Sequence, residues 1–325
     1  FFGTKNEIFI DLNKRAAAYA SQKGFDYEWV PQQPYDKKDV IAHLKRSDAG
    51  IIDIEPYGEE IFSQIKDSTR LLVRFGVGYD KVDLAAASRN GIAVARTTGA
   101  NTLGVAEMAF TLMLALRRQL NENQVCVKSN NWDERTVCNE TIGGTIGIMG
   151  FGAIGQAFAK LAKGLGCRLV AYDPFSNKET AQKAGVELVG LDELFQTADA
   201  ITVHVPYSKE THHLVNAELL AKMKATAVLV NTARGNIVDE DALYDALAAH
   251  KIRGAALDVY AQEPLPLTSP LLKLDNIILT PHVSSQTIES LWRIYSMAID
   301  IASDFFEGKK VKHILNPDYN QQEKQ

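Results

Sequence analysis

Short apolar runs alternate with helical patterns along the first hundred residues of the chain. The runs predict β-strands at 26–30, 50–54, 71–74 and 92–95, with helices between them, including 10–23 and 37–45. Strands that alternate with helices form parallel sheets with helices on both faces. The chain begins at Phe1 without an initiating Met, so we expect residues of a first strand to precede it.

A longer apolar helix is predicted at 103–116, and a polar stretch at 121–140, which contains Trp132, follows it. The alternation then restarts, with strands predicted at 145–149, 168–172, 200–205, 227–230, 255–259 and 276–279. These runs are almost continuously apolar, as expected for strands that are buried on both faces. A last helix, at 288–306, carries an apolar stripe at three-to-four-residue spacing. The pattern predicts two α/β units, one starting at residue 1 and one near residue 102.

Length and charge narrow the class of protein. A chain of 325 residues predicts about two domains of roughly 150 residues each. The net charge is −5, so the chain lacks the excess of basic residues that is typical of nucleic-acid-binding proteins. It is compatible with an anionic substrate, because a single Arg can bind a carboxylate. We therefore expect a small-molecule ligand and no nucleic-acid partner.

The cysteines and the apolar runs bear on location. Cys126, Cys138 and Cys167 follow no metal-binding spacing, so no metal site is predicted. A sparse, odd number of cysteines favours the reducing cytoplasm over a disulfide framework. The longest apolar run, 105–116, is shorter than the ~18 residues of a membrane span and contains Glu107. A cytoplasmic protein without a membrane segment is expected.

The sharpest local motif is GxGxxG, formed by Gly150, Gly152 and Gly155. This motif alone is weak, but here an apolar strand precedes it and a helix predicted at 156–165 follows it. In that context Gly150 allows a tight turn, Gly152 lets the backbone approach a pyrophosphate, and Gly155 lets helix and strand pack closely. The helix N-terminus offers N–H groups to the phosphates. The motif predicts a dinucleotide site.

Asp173 follows the predicted strand 168–172, 18 residues after Gly155. A carboxylate at this point accepts hydrogen bonds from the adenosine ribose hydroxyls, and it would repel a 2′-phosphate. No Arg occurs in the next three residues, so NAD is favoured over NADP. The alternative interpretation is an ordinary turn Asp before a Pro.

Three polar residues follow predicted strands of the second unit: Arg234, Glu263 and His282. The carboxyl ends of such strands form the ligand crevice, so these side chains are expected to converge. Arg234 would hold the carboxylate of a 2-keto acid and polarise its carbonyl. His282 would exchange a proton with the carbonyl oxygen as hydride moves, and an adjacent Glu263 would favour the imidazolium form. Each residue alone has a plain alternative, respectively a surface Arg, a loop Glu and a structural His.

Several blocks around these residues resemble the D-isomer-specific 2-hydroxyacid dehydrogenases, a family that includes phosphoglycerate, glycerate and glyoxylate/hydroxypyruvate enzymes. The similarity runs from about residue 71 to residue 286. Besides the glycine motif, the matching blocks are 74–83, 98–102 with 105–107, 204–206 with Thr211, 231–235, 256–259 with 263–264, and 280–282. Their number and their order make the resemblance highly specific.

The resemblance implies an NAD-dependent oxidoreductase that moves a hydride between the cofactor and a small D-2-hydroxy or 2-keto acid. It implies the same Arg, Glu and His as the catalytic set. Val77 and Gly78 would present backbone N–H groups to the substrate carboxylate, with Arg74 supporting them or the substrate. Asp258 would lie near the nicotinamide amide. The implied cofactor contacts are Gly150, Gly152, Ala153, Ile154, Gly155, Asp173, Val205, Thr232, Ala233 and Asp258.

The family fold implies a Rossmann-type NAD-binding domain at 102–285, inserted into a flavodoxin-like substrate domain made of 1–101 and 286–325. Both would be α/β domains with doubly wound parallel sheets. A homodimer is also implied, formed through the cofactor domain. The polar arm around Trp132 is the candidate dimer contact, and a simple surface loop is the alternative.

The chain departs from the family pattern at two places. The residues Val283-Ser284-Ser285 stand where many relatives carry a small residue or a Gly pair. The stretch 54–57 replaces a Ser/Thr-rich loop of phosphoglycerate enzymes, which favours another small or medium acid: hydroxypyruvate, glyoxylate or a branched 2-keto acid. Two other functions stay open: an NAD-sensing, corepressor-like scaffold, and a different chemistry such as formate or phosphite oxidation.

Overall fold

A computed structural model describes residues 7–32 and 35–320. The chain divides into two compact units, unit 1 (1–101 with 286–325) and unit 2 (102–285). The first strand that was expected at the start of the chain lies outside the described residues. Within the parts of the chain that the structure describes, no helix combines the length and the apolar composition needed to span a bilayer.

The helices and strands of the described residues follow in chain order. The helices are α1 (Glu7–Gln22), α2 (Lys37–Leu44), α3 (Glu59–Ile65), α4 (Leu84–Arg89), α5 (Thr102–Arg117), α6 (Leu120–Lys128), α7 (Ala153–Ala162), α8 (Lys178–Ala184), α9 (Leu191–Thr197), α10 (Ala217–Lys222), α11 (Glu240–Ala248) and α12 (Ile288–Phe306). The strands are β1 (Ala49–Ile52), β2 (Leu71–Arg74), β3 (Ala93–Arg96), β4 (Thr145–Met149), β5 (Arg168–Tyr172), β6 (Glu187–Leu188), β7 (Ala200–Val203), β8 (Val228–Asn231), β9 (Gly254–Leu257) and β10 (Ile277–Leu279).

Unit 1 contains a parallel sheet whose described strands pair in the order β1-β2-β3. Successive side chains of a strand point to opposite faces. Leu72 and Val94 therefore pack with α2, α3 and α4 on one face, whereas Leu71 and Val73 pack against α12 on the other. Helices cover both faces of the sheet, as the alternating pattern predicted.

The prediction of a strand at 26–30 is wrong, because this segment forms no strand in the structure. A strand needs a neighbouring backbone with which to exchange hydrogen bonds. This segment and β1 both line a cavity of about 850 Å³. Within the described residues, the backbone of segment 26–30 has no strand partner. Apolar sequence alone therefore did not determine the conformation of this segment.

Unit 2 contains a seven-stranded parallel sheet in the order β10-β9-β8-β7-β4-β5-β6. The chain moves outward from β4 through β5 to β6, then returns to the other side of β4 at β7. This reversal is the topological switch point at which doubly wound sheets bind ligands. Helices α5, α7 and α8 cover one face, and α9, α10 and α11 cover the other.

Most predicted elements of unit 2 occur within two residues of their predicted bounds, and β4 and β5 begin and end where expected. The same holds for α12 in unit 1. The helix after the glycine motif starts at Ala153, three residues earlier than predicted. Helix α6 was missed inside the polar stretch 121–140. None of its residues is buried, so it lacks the one-sided apolar stripe that marks a helix in a sequence.

Candidate active site

The strand register of unit 2 brings the predicted site residues to one edge of the sheet. Neighbouring strands align Tyr172, Met149, Val203, Asn231, Leu257 and Leu279 in one row across the sheet. Asp173, the glycine motif, Val205, Thr232 to Arg234, Asp258, Glu263 and His282 all follow this row in the chain. The predicted residues of unit 2 therefore leave the sheet at its carboxyl edge, around the switch point.

The three motif glycines differ in the space around them. Gly150 has a φ of +98°, and a Cβ on it would meet the backbone N of Val205 at 2.6 Å. A Cβ on Gly155 would lie 2.2 Å from the Gly150 carbonyl oxygen, so α7 packs directly on the turn. In contrast, a Cβ on Gly152 would have no heavy atom within 4 Å. The first and third glycines close the turn, and the second leaves open space beside it.

The structure fits a dinucleotide at this turn. Gly152 caps α7 without a side chain, and it and Ala153 are exposed, so the first N–H groups of the helix are open to an anion. The Thr232 hydroxyl is buried and forms no hydrogen bond within the described part of the chain. A buried, unpaired hydroxyl is costly unless a ligand satisfies it. The open N-terminus of α7 would hold the phosphates of the cofactor. The Thr232 hydroxyl would hold another of its polar groups.

Asp173 closes the other side of the glycine turn. Its Oδ2 accepts a hydrogen bond from the Phe151 N–H at 2.8 Å, and its Oδ1 accepts one from the Phe175 N–H at 2.9 Å. These bonds hold the half-buried carboxylate beside the turn. Each oxygen keeps acceptor capacity for a ribose hydroxyl, since a carboxylate offers about four acceptor positions.

The Arg234 loop is fixed by residues that the sequence analysis did not single out. Asn231 is fully buried; its Nδ2 donates to the Arg234 carbonyl at 2.9 Å, and its Oδ1 accepts from the Ala233 N–H at 3.0 Å. A Cβ on Gly235 would lie 1.9 Å from the carbonyl carbon of Tyr260. Only glycine fits there, so the loops after β8 and β9 are in direct backbone contact. Asn231 and Gly235 are the first and last residues of block 231–235, and the resemblance of this block to the family was the sequence feature that could have pointed to them.

His282 and Glu263 form a hydrogen-bonded pair. The His282 Nδ1 lies 2.9 Å from the Glu263 Oε2, and the Tyr260 N–H donates to the Glu263 Oε1 at 3.1 Å. The Glu263 side chain is 15% exposed and the His282 side chain is 30% exposed. A carboxylate on Nδ1 orients the imidazole and directs its Nε2 away from Glu263, where a substrate could meet it. This arrangement is that of a general acid–base held by its partner.

Asp258 precedes Glu263 by five residues in the chain, and its carboxylate is engaged elsewhere. Its carboxylate is fully buried and accepts hydrogen bonds from Thr280, Val283 and Ser284. The predicted contact between Asp258 and the nicotinamide amide stays a prediction. What the structure shows is a carboxylate that holds the loop on which His282 stands.

A half-buried histidine, His204, is a further feature of this edge. Its Nε2 lies 2.9 Å from the Thr202 hydroxyl, and its buried Nδ1 has no partner within the described residues. Its backbone packs against Gly150. Desolvation of the ring disfavours the charged form and lowers the pKa of His204 to about 3. His204 is therefore a neutral packing residue under the glycine turn.

We expect His204 to make the fold sensitive to acid. An unfolded His titrates near 6.5, so below that pH the unfolded chain binds a proton that the folded chain does not. Its contribution to stability is complete above pH 6.5 and falls as the pH decreases toward 3. Urea unfolding should show the stability gap between wild type and His204→Gln shrinking by about 2 kcal/mol from pH 6.5 to pH 5. An unchanged gap would contradict the neutral state of His204.

The predicted substrate loop of unit 1 follows β2. Gly76 has a φ of +120°, and its N–H donates to the Thr97 hydroxyl at 2.9 Å, a contact that the sequence did not reveal. The N–H groups of Val77 and Gly78 donate to no residue in the described ranges. The buried Arg74 donates to the Phe75 carbonyl at 3.0 Å and therefore supports the loop. The two free N–H groups are suited to bind a carboxylate.

Comparison with known proteins identifies the family. The model for "D-isomer specific 2-hydroxyacid dehydrogenase, NAD binding domain" matches residues 110–284. The chain is 37% identical over 294 residues to the glyoxylate reductase of Korarchaeum cryptofilum, covering 89% of this chain and 88% of that protein. It is 36% identical over 306 residues to the D-3-phosphoglycerate dehydrogenase of Archaeoglobus fulgidus, covering 94% of this chain and 58% of that protein. The solved D-2-hydroxyisocaproate dehydrogenase superposes with a TM-score of 0.85 at 26% identity, covering 96% of this chain and 97% of that one.

These relatives are named for hydride-transfer reactions, so the non-enzymatic sensing scaffold is not favoured. The switch-point sheet and the glycine turn agree with the NAD-binding description of the matched model. The chain belongs to the D-isomer specific 2-hydroxyacid dehydrogenase family and is an NAD-dependent oxidoreductase that acts on CH–OH donors.

Proposed function

We propose that this protein interconverts a small 2-keto acid and its D-2-hydroxy acid, with Arg234, Glu263 and His282 as the catalytic set. The observation that carries the proposal is the 2.9 Å contact between His282 and Glu263 at the carboxyl edge of the cofactor-binding sheet. Bound NADH supplies the hydride for reduction. The protein must then supply a proton, a carboxylate site and an environment that holds both in place.

His282 supplies the proton in this scheme. Its Nδ1 is taken by Glu263, so the proton on Nε2 is the one directed at the substrate. During reduction this proton passes to the carbonyl oxygen, and during oxidation the neutral ring takes it back from the hydroxyl. Glu263 stays ionised in both directions, since its role is to orient the ring and stabilise its positive charge.

Arg234 binds the substrate carboxylate and polarises the carbonyl. A guanidinium presents a planar fork of donors that matches a carboxylate, and its Nη1 is already positioned by the Ala233 carbonyl at 2.7 Å. In unit 1, the N–H groups of Val77 and Gly78, with the support of Arg74, are proposed as donors to a carboxylate in their own right. The remaining predicted cofactor contacts are Ala153, Ile154, Val205 and Ala233, all of which lie at the carboxyl edge of the sheet.

The substrate is proposed to be a small acid of the glyoxylate or hydroxypyruvate type. The glyoxylate reductase of K. cryptofilum is matched over 88% of its length, which supports a substrate of this type. The sequence 54–57 lacks the Ser/Thr-rich loop typical of phosphoglycerate enzymes. Both observations favour a substrate without a phosphate group.

The test is NADH oxidation, followed by absorbance, against glyoxylate, hydroxypyruvate, branched 2-keto acids and phosphohydroxypyruvate, repeated with NADPH. We expect turnover with the small unphosphorylated acids and a preference for NADH, because Asp173 would repel a 2′-phosphate. Formate and phosphite with NAD serve as the arms for the other chemistries. Turnover with formate or phosphite alone, or no turnover while NADH still binds, would refute the proposal.

We also propose a homodimer that forms through the arm of unit 2, residues 120–142, in the cytoplasm. This arm carries a set of exposed apolar side chains: Leu120, Val125, Val127, Trp132, Val137 and Ile142. Such a concentration of exposed apolar side chains is typical of an interaction surface. The three thiols of the chain are free, which suits a reducing compartment.

Sedimentation velocity should show a dimer for the wild-type protein and a monomer for the variant carrying Val125→Glu and Trp132→Glu, because buried charges oppose association. The control is Leu267→Glu, at an even more exposed apolar residue outside the arm, and this variant should remain dimeric. A double variant that sediments like the wild type would reject the arm as the interface.

A further inference from the structure

The buried carboxylate of Asp258 is occupied by its own chain. Its Oδ1 accepts from the Thr280 hydroxyl at 2.6 Å and from the Val283 N–H at 2.8 Å. Its Oδ2 accepts from the N–H of Ser284 at 2.8 Å and from the hydroxyl of the same residue at 2.5 Å. A carboxylate offers about four acceptor positions, so these four donors satisfy it. A cofactor amide would have to displace one of them to reach it.

The four donors lie on both sides of His282. Thr280 precedes it by two residues, and Val283 and Ser284 follow it directly. His282 itself has a φ of +54°, in the left-handed region that is unfavourable for a residue with a side chain. Such a conformation persists only where the surroundings fix it. Asp258 holds the chain before and after the strained residue and thereby fixes it.

We propose that Asp258 is a positioning residue for proton transfer: with Thr280 and Ser284, it clamps the loop that holds His282 against Glu263. This inference rests on the proposed role of His282. The clamp is buried, because Asp258 is 0% exposed and Ser284 is 4% exposed. Its strength comes from the four hydrogen bonds that a single buried carboxyl group accepts.

Ser284 makes the clamp testable with a matched pair of variants. Its hydroxyl donates one of the two hydrogen bonds that the Asp258 Oδ2 accepts, at 2.5 Å. The neighbouring Ser285 is half-buried, and within the described residues its side chain forms no hydrogen bond. Ser284→Ala and Ser285→Ala therefore remove the same atom from adjacent positions, inside and outside the clamp.

The experiment measures three quantities for wild type, Ser284→Ala and Ser285→Ala: kcat at saturating NADH, the Kd for NADH, and amide hydrogen exchange of the peptide containing Val283. We expect Ser284→Ala to lower kcat about tenfold and to speed exchange about tenfold, because one charge-assisted hydrogen bond is lost. The Kd should change less than about twofold. Ser285→Ala should match wild type in all three.

Asp258→Asn is the stronger variant, since the amide turns a donor toward the Ser284 N–H and hydroxyl. We expect kcat to fall about a hundredfold or more while NADH still binds. If Asp258→Asn fails to fold, the kcat, Kd and hydrogen-exchange measurements on Ser284→Ala test the proposal by themselves.

A tenfold weaker NADH Kd with unchanged kcat in Ser284→Ala would overturn the proposal and make Asp258 a cofactor contact. Equal exchange rates in Ser284→Ala and wild type would overturn it as well. Because hydrogen exchange needs no turnover, it tests the clamp even if the wild type reduces none of the acids, an outcome that would reject only the proposed function.

Discussion

Replacing His282 with Asn should lower kcat for 2-keto acid reduction by about a thousandfold, because the group proposed to exchange the proton is removed. Asn adopts the left-handed conformation more readily than other residues with side chains, so the φ of +54° at this position should persist. The affinity for NADH, measured by fluorescence titration, should be close to that of wild type. The loss then belongs to the chemical step rather than to the fold or the cofactor site.

Glu263→Gln is the companion variant. It keeps the shape of the side chain and a hydrogen bond to the imidazole but removes the charge, so its kcat should fall less than that of His282→Asn. Near-normal turnover in the His282→Asn variant would remove His282 from the mechanism. A variant that binds NADH poorly would instead indicate that the loop after β10 builds the cofactor site.

Replacing Arg234 with Lys should lower kcat/KM for the 2-keto acid by about a thousandfold while NADH binding persists. An ammonium keeps the charge but loses the planar fork, so it cannot hold a carboxylate and polarise the carbonyl in one geometry. The matched control is Arg168→Lys in the same unit, where the guanidinium pairs with Glu187 at the surface. A surface ion pair contributes little, so this control should keep wild-type kinetics.

The two steady-state parameters separate the possible roles of Arg234. A rise in KM alone would show that Arg234 binds ground state and transition state equally. A fall in kcat as well, which we expect, would show that it also stabilises charge developing on the carbonyl oxygen. Unchanged kinetics in Arg234→Lys would exclude a specific guanidinium role.

The sequence alone predicted the edge of the sheet at which the candidate site residues of unit 2 lie. Near-continuous apolar runs identify strands buried on both faces, and residues that follow parallel strands share one edge whatever the details of packing. The glycine spacing predicted the turn, since Gly150 and Gly155 are required by backbone approach that no other residue tolerates. These inferences depend on local rules, which a sequence displays directly.

What the tertiary structure decided concerns contacts between distant parts of the chain. The strand predicted at 26–30 failed because a strand exists only with a partner, and pairing is not local. The sequence does not reveal that Gly235 lies against the backbone of Tyr260, which only the fold brings there. The hydrogen bonds that residues 280–284 donate to the Asp258 carboxylate are visible only in the fold. A sequence indicates which groups can form hydrogen bonds, but the partner of each buried group is chosen by packing.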